Sequence, residues 1–173
     1  MNQLELLTAY RCPRYEDFPA IPLYKEQVVS FLTQAVAPFY DGEQAPVTAA
    51  MINNYVKLKV ITPPERKKYT REQVICLYVT FLLKQVLSME EIRTLLQREF
   101  APENAASAYQ SFVRLLEGTL SSLNGSGPLS VSPHPPLLEA AIRSFLYRRY
   151  AVMLLHEAES QAAEQTEAEQ TPQ

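Results

Sequence analysis

The segment Val74–Leu83, VICLYVTFLL, restricts the folds open to this chain more than any other. It is ten residues long and Thr80 alone interrupts its apolar character. Such a run suits a buried strand or a buried helix equally, so the flanking residues must decide. Thr70 with Gln73 forms a capping box, and Tyr69 and Val74 are spaced as its hydrophobic staple. Ser88 with Glu91 forms a second box, with Leu87 and Ile92 as the matching staple. These signals predict helices over about 71–86 and 89–98. A membrane span needs roughly 20 apolar residues, so the run reads as a core element rather than a span.

Around it the pattern stays helical. Residues 1–23 hold Pro13, Pro19 and Pro22, which predict a short first helix within 2–10 and then an extended arm. Val28, Phe31, Leu32, Ala35 and Val36 predict a helix over about 23–39, broken at Asp41-Gly42. Thr48 is a good N-cap for a helix that stops before Pro63-Pro64. A further helix is expected over about 103–123, a proline-rich loop over 124–136, and a last helix over about 137–157. The end of the chain lacks aromatic and branched apolar residues and is expected to stay disordered. The expectation is an all-α chain: an arm (1–23), a helical domain (24–100), a C-terminal helical region (101–157) and an acidic tail (158–173).

Charge is segregated along this framework. The net charge is −3, too acidic for a uniformly basic nucleic-acid binder. Yet residues 53–71 carry Lys57, Lys59, Arg66, Lys67, Lys68 and Arg71 against Glu65 alone, whereas residues 157–173 carry five glutamates and no cation. The two cysteines, Cys12 and Cys76, are too few for a disulfide scaffold and read as reduced thiols. With no signal-like N-terminal pattern and no long apolar span, the expectation is a cytoplasmic protein away from membranes. His134 and His156 have no partner at metal-ligand spacing, and no glycine-rich phosphate loop occurs, so neither a cofactor nor an enzymatic activity is expected.

Residues 48–96 resemble the helix-turn-helix and wing of the MerR family of bacterial regulators. Tyr55 matches the second tyrosine of its R-Y-Y-E-x-x-G-L-L helix, and Val60-Ile61 match the Leu-Leu. Pro63 and Tyr69 match the proline and closing tyrosine of the wing, and Leu87-Ser88-Met89-Glu90-Glu91-Ile92 match the final block. Asn53 and Asn54 replace the arginine and first tyrosine, Lys59 replaces the glycine, and the wing is shortened to PPERKKY. The stretches PAIPLYKEQV, MINNYVK and LKQVLS are also similar to an uncharacterised bacterial family catalogued as domain of unknown function 1836, to which no activity is assigned.

The MerR resemblance implies a winged helix-turn-helix domain with a C-terminal helical extension, a homodimer joined through that extension, and duplex DNA as partner. Thr48, Asn53, Asn54, Tyr55 and Lys57 would then lie on the reading helix, 48–61, and Arg66, Lys67, Lys68 and Tyr69 in the wing, 62–69. The chemistry of the residues agrees. Asparagine pairs bidentately with adenine in the major groove, a helix N-terminus attracts phosphate, and cations in a short loop can neutralise backbone charge. The altered wing and the apolar last helix leave a second possibility open, a MerR-like fold that docks another protein without touching DNA.

Overall fold

A computed structural model describes residues 7–40, 45–123 and 136–169. The order of elements is β1 (Leu23–Tyr24), α1 (Lys25–Val36), α2 (Ala49–Lys57), β2 (Lys68–Tyr69), α3 (Arg71–Leu83), α4 (Met89–Glu99), α5 (Ala105–Leu123) and α6 (Pro136–Glu169), with short 3-10 turns at Tyr15–Asp17, Ala37–Phe39 and Pro102–Asn104. The fold is mainly helical. The one departure from an all-α chain among the described residues is the two-residue antiparallel ribbon that pairs Leu23 with Tyr69 and Tyr24 with Lys68.

The VICLYVTFLL run is helical, as its caps require. Thr70 Oγ1 accepts from Gln73 N at 3.3 Å while Gln73 Oε1 accepts from Thr70 N at 2.9 Å. Ser88 and Glu91 close the second box in the same way, at 3.3 and 2.7 Å. In α3 nine residues, Val74, Ile75 and Leu77 to Leu83, are buried, so it has no free solvent face. Thr80 offsets the cost of its buried hydroxyl by donating to Cys76 O at 2.7 Å. α1, α4 and α6 pack on α3, and α5 packs along α6.

The arm crosses the other helices rather than hanging from them. Phe18 is fully buried and its ring meets Phe31 of α1, Tyr78 of α3 and Tyr109 of α5 at 5.1–6.0 Å. Tyr10 Oη donates to Ala35 O and shares a 2.8 Å hydrogen bond with Tyr78 Oη. Tyr109 Oη donates to Pro13 O at 2.7 Å, Arg71 Nε donates to Phe18 O at 2.9 Å, and Glu117 receives both Cys12 N and the Arg14 guanidinium. One hydrophobic core therefore runs from Leu7 to Met153.

Several element ends differ from the sequence reading. The helix expected over 23–39 begins two residues later, because Leu23 and Tyr24 are drawn into the ribbon, and ends in a 3-10 turn. α6 continues to Glu169, through most of the segment expected to lack order. Its Ala, Glu and Gln are strong helix formers, a local preference that a reading based on missing core residues overlooks. The first helix expected within 2–10, the Asp41-Gly42 break and the 124–135 loop lie largely or wholly outside the described residues.

α2 ends at Lys57, four residues short of the expected 61, and the cause is a Schellman turn. Val60 N donates to Tyr55 O at 2.9 Å and Lys59 N to Val56 O at 3.0 Å, the two reversed bonds of that motif. Lys59 takes the left-handed conformation it demands, with φ 58°. This is the position at which the MerR pattern carries glycine. A side chain there costs roughly 1–2 kcal/mol that glycine avoids. Lys59→Gly is thus expected to stabilise the fold by about 1 kcal/mol, raising Tm by about 2–4 °C. An unchanged or lower Tm in calorimetry would show that lysine is held there by contacts worth more than the strain.

Candidate nucleic-acid interface

The candidate surface is built from α2, the hairpin that follows it, and the start of α1. Thr48 caps α2, its Oγ1 accepting from Met51 N at 3.2 Å. Ile52 and Tyr55 face inward, and Tyr55 sets its ring against Phe81 of α3 with centroids 5.3 Å apart. Ala50, Asn53, Asn54 and Lys57 are exposed, and their spacing of three, four and seven residues places them on one stripe. No carboxylate occurs anywhere in α2. The stripe thus offers two amides and one cation without a competing negative charge.

After the Schellman turn, Val60 and Ile61 return to the core, and Pro63-Pro64 lead into a four-residue turn, Glu65 to Lys68. Lys68 N donates to Glu65 O at 2.9 Å, while Arg66 and Lys67 have φ 48° and 65°. Two successive positive φ values mark a type I′ hairpin turn, a position that favours Asn-Gly. This chain places two cations there instead. Gln73 fixes the root of the hairpin, its Nε2 lying 2.9–3.1 Å from Thr62 Oγ1, Thr62 O and Pro63 O. The cap of α3 and the hairpin are therefore held by one side chain.

Pairing with β1 then carries the hairpin back toward α2. Tyr24, Lys25, Glu26, Asn53, Val56, Pro64, Lys67 and Tyr69 line a cleft of about 470 Å³ between them. Pro22, Tyr24, Glu65, Arg66, Lys68 and Thr70 line a second cleft of about 410 Å³. There Lys68 Nζ lies 4.8 Å from the centre of the Tyr24 ring, a cation–π contact.

The nine residues expected to meet DNA separate accordingly. Asn53, Asn54 and Lys57 share the exposed stripe, and Lys67 joins Asn53 at the first cleft. Arg66 and Lys68 line the second cleft, so the three wing cations divide between two clefts. Thr48 is present at the helix start, where its Oγ1 accepts the cap hydrogen bond.

Tyr55 and Tyr69 correct the sequence reading. They are 5% and 3% exposed, and burial raises both phenol pKa values above the usual 10. As core side chains they can shape the surface without touching a ligand, because the inward half of α2 and the staple position before α3 both need an aromatic. Lys25 was missed. Its Nζ donates to Asn53 Oδ1 at 3.1 Å. Only the β1–β2 register places it there, and two-residue strands leave no periodic trace in sequence.

Elsewhere the chemistry is quiet. No group of His, Cys, Asp or Glu among the described residues could hold a metal ion. Burial pushes the Cys12 and Cys76 thiols up to about 12, away from nucleophilic thiolate character. No described helix is long and apolar enough to cross a membrane.

The strained turn yields a test. Arg66→Asn with Lys67→Gly restores the residues that a type I′ turn prefers, and the pair is expected to gain roughly 1–2 kcal/mol in denaturant unfolding. A loss of stability would mean that contacts of the two cations, rather than the ribbon, hold the turn.

Comparison with known proteins adds the family and little else. No curated protein and no solved structure matches the chain. The model of one family matches residues 13–112, from the arm through the first turns of α5 and including the whole candidate surface. The chain belongs to the family described as domain of unknown function (DUF1836).

Proposed function

We propose that this protein is a duplex-DNA-binding transcriptional regulator with a MerR-like winged helix-turn-helix. α2 enters the major groove, and the hairpin at 62–69 rests on the backbone as the wing. The observation that carries this reading is the carboxylate-free stripe Ala50, Asn53, Asn54 and Lys57, which the β1–β2 pairing holds beside a cationic hairpin turn. The amides supply base contacts and the cations phosphate contacts, which position the helix without reading sequence. The order β1, α1, α2, hairpin, α3, α4 supports the resemblance noted in residues 48–96, and Lys59 keeps the backbone conformation of the glycine it replaces.

The protein acts as a homodimer in this reading, with α6 supplying the interface. Leu137, Tyr147 and Leu154 on α6 are 42–47% exposed and are the apolar side chains it would offer to a second copy. The same exposure favours the second reading, in which the fold docks a different protein. Placement of Arg66 and Lys68 at a second cleft, apart from the one that Asn53 lines, also leans that way.

Fluorescence anisotropy with a pool of randomised duplex DNA separates the two. Five to six phosphate contacts per protomer give a log–log salt slope of about −4.5 to −5.4. Lys67→Ala with Lys68→Ala is expected to make that slope shallower by about 2. Absence of binding even at low salt would sink the DNA reading, since the non-specific component needs no correct operator.

A further inference from the structure

Lys25, at the first position of α1, reaches across to the reading stripe and meets the Asn53 side chain. We infer that Lys25 is a specificity-determining residue that turns Asn53 from an adenine reader into a guanine reader. The inference rests on the DNA-binding reading above and adds to it the base that this position selects.

An ammonium group only donates, so the Asn53 atom 3.1 Å from Lys25 Nζ must be the amide oxygen. The orientation of this side chain is therefore fixed by chemistry: Oδ1 is the atom at Lys25, and Nδ2 is the atom left to donate. Recognition of adenine needs both ends of an asparagine: the oxygen accepts from N6 while Nδ2 donates to N7. Here the oxygen is already engaged. Its second lone pair remains, but an adenine N6 amino group brought to it would lie against the Lys25 charge. Guanine has no such conflict. Its major-groove edge presents two acceptors, O6 and N7, which match two donors, Asn53 Nδ2 and Lys25 Nζ.

The surroundings agree. Asn53 is exposed and Lys25 half-buried at the cleft that Lys67 also lines, so the positive side chains there outnumber Glu26, the one carboxylate. The cleft thus favours an acceptor-rich base edge over one that carries an amino donor. Asn54, next on the stripe, is exposed, accepts no hydrogen bond on its amide oxygen from a lysine among the described residues, and is expected to keep the ordinary adenine pairing.

Selection from a randomised duplex pool, followed by affinity measurement on the enriched sites, tests this with the full-length wild type, Asn53→Ala, Lys25→Ala and Lys25→Arg. Wild type should enrich guanine at one position of each site, and Asn53→Ala should erase that preference alone. Lys25→Ala should replace guanine by adenine there, changing the guanine-to-adenine ratio about tenfold and leaving the other positions as they were. Lys25→Arg keeps a donor and should keep guanine. Equal weakening of every sequence by Lys25→Ala, with guanine retained, would show a phosphate contact and overturn the inference. So would wild-type selection of adenine at the position that Asn53→Ala erases. Failure of the wild type to bind any duplex would overturn the DNA reading itself, and the inference with it.

Discussion

A helix that is apolar around its whole circumference must be enclosed on every side, and α3 is that helix here. No single neighbour can cover it. α1, α4 and α6 each take a side, and the arm closes what remains by setting Phe18 against Tyr78 and Tyr109. The arm, α1 and α6 are far apart in the chain, and α3 gives them a common surface. This explains why one core joins the arm to the C-terminal helices even though the family match ends within α5. It also fixes α2: Tyr55 stacks edge-on against Phe81 of α3, which orients the opposite stripe of α2 outward.

The same enclosure supports strain at the candidate surface. Lys59, Arg66 and Lys67 hold left-handed backbone angles that glycine or asparagine adopt more readily. All three lie within nine residues, between the end of α2 and the closing strand of the hairpin. Strain of this kind persists where the surroundings over-determine it. Here the Schellman bonds, the Gln73 clamp and the β1–β2 register do so from three directions. Three cations are thereby carried on a rigid loop rather than a floppy one, which suits contacts that must be made in register with a regular polyanion.

Much of the helical framework was legible because its signals are local. The two capping boxes placed the starts of α3 and α4 within a residue, and the core stripe of α1 could be read from Val28, Leu32 and Val36. The ends were harder. The Schellman turn at Lys59 was hidden because the residue that normally announces it, glycine, is absent. The extension of α6 leaves no core signature, because its Ala, Glu and Gln favour helix without apolar side chains to bury. Within the site, the outward stripe of α2 followed from helical period alone. The division of the wing cations between two clefts and the approach of Lys25 to Asn53 did not. Each depends on which strand pairs with which, and four ribbon residues carry too little pattern to say.

Backbone amide chemical-shift mapping, on addition of a short duplex to the full-length protein, tests the central claim most directly. If α2 and the hairpin grip DNA, the shifts should concentrate on Ala50 to Lys57 and Thr62 to Tyr69, with Lys25 included and α6 little changed. Shifts confined to the exposed face of α6, or none at all at low salt, would contradict it.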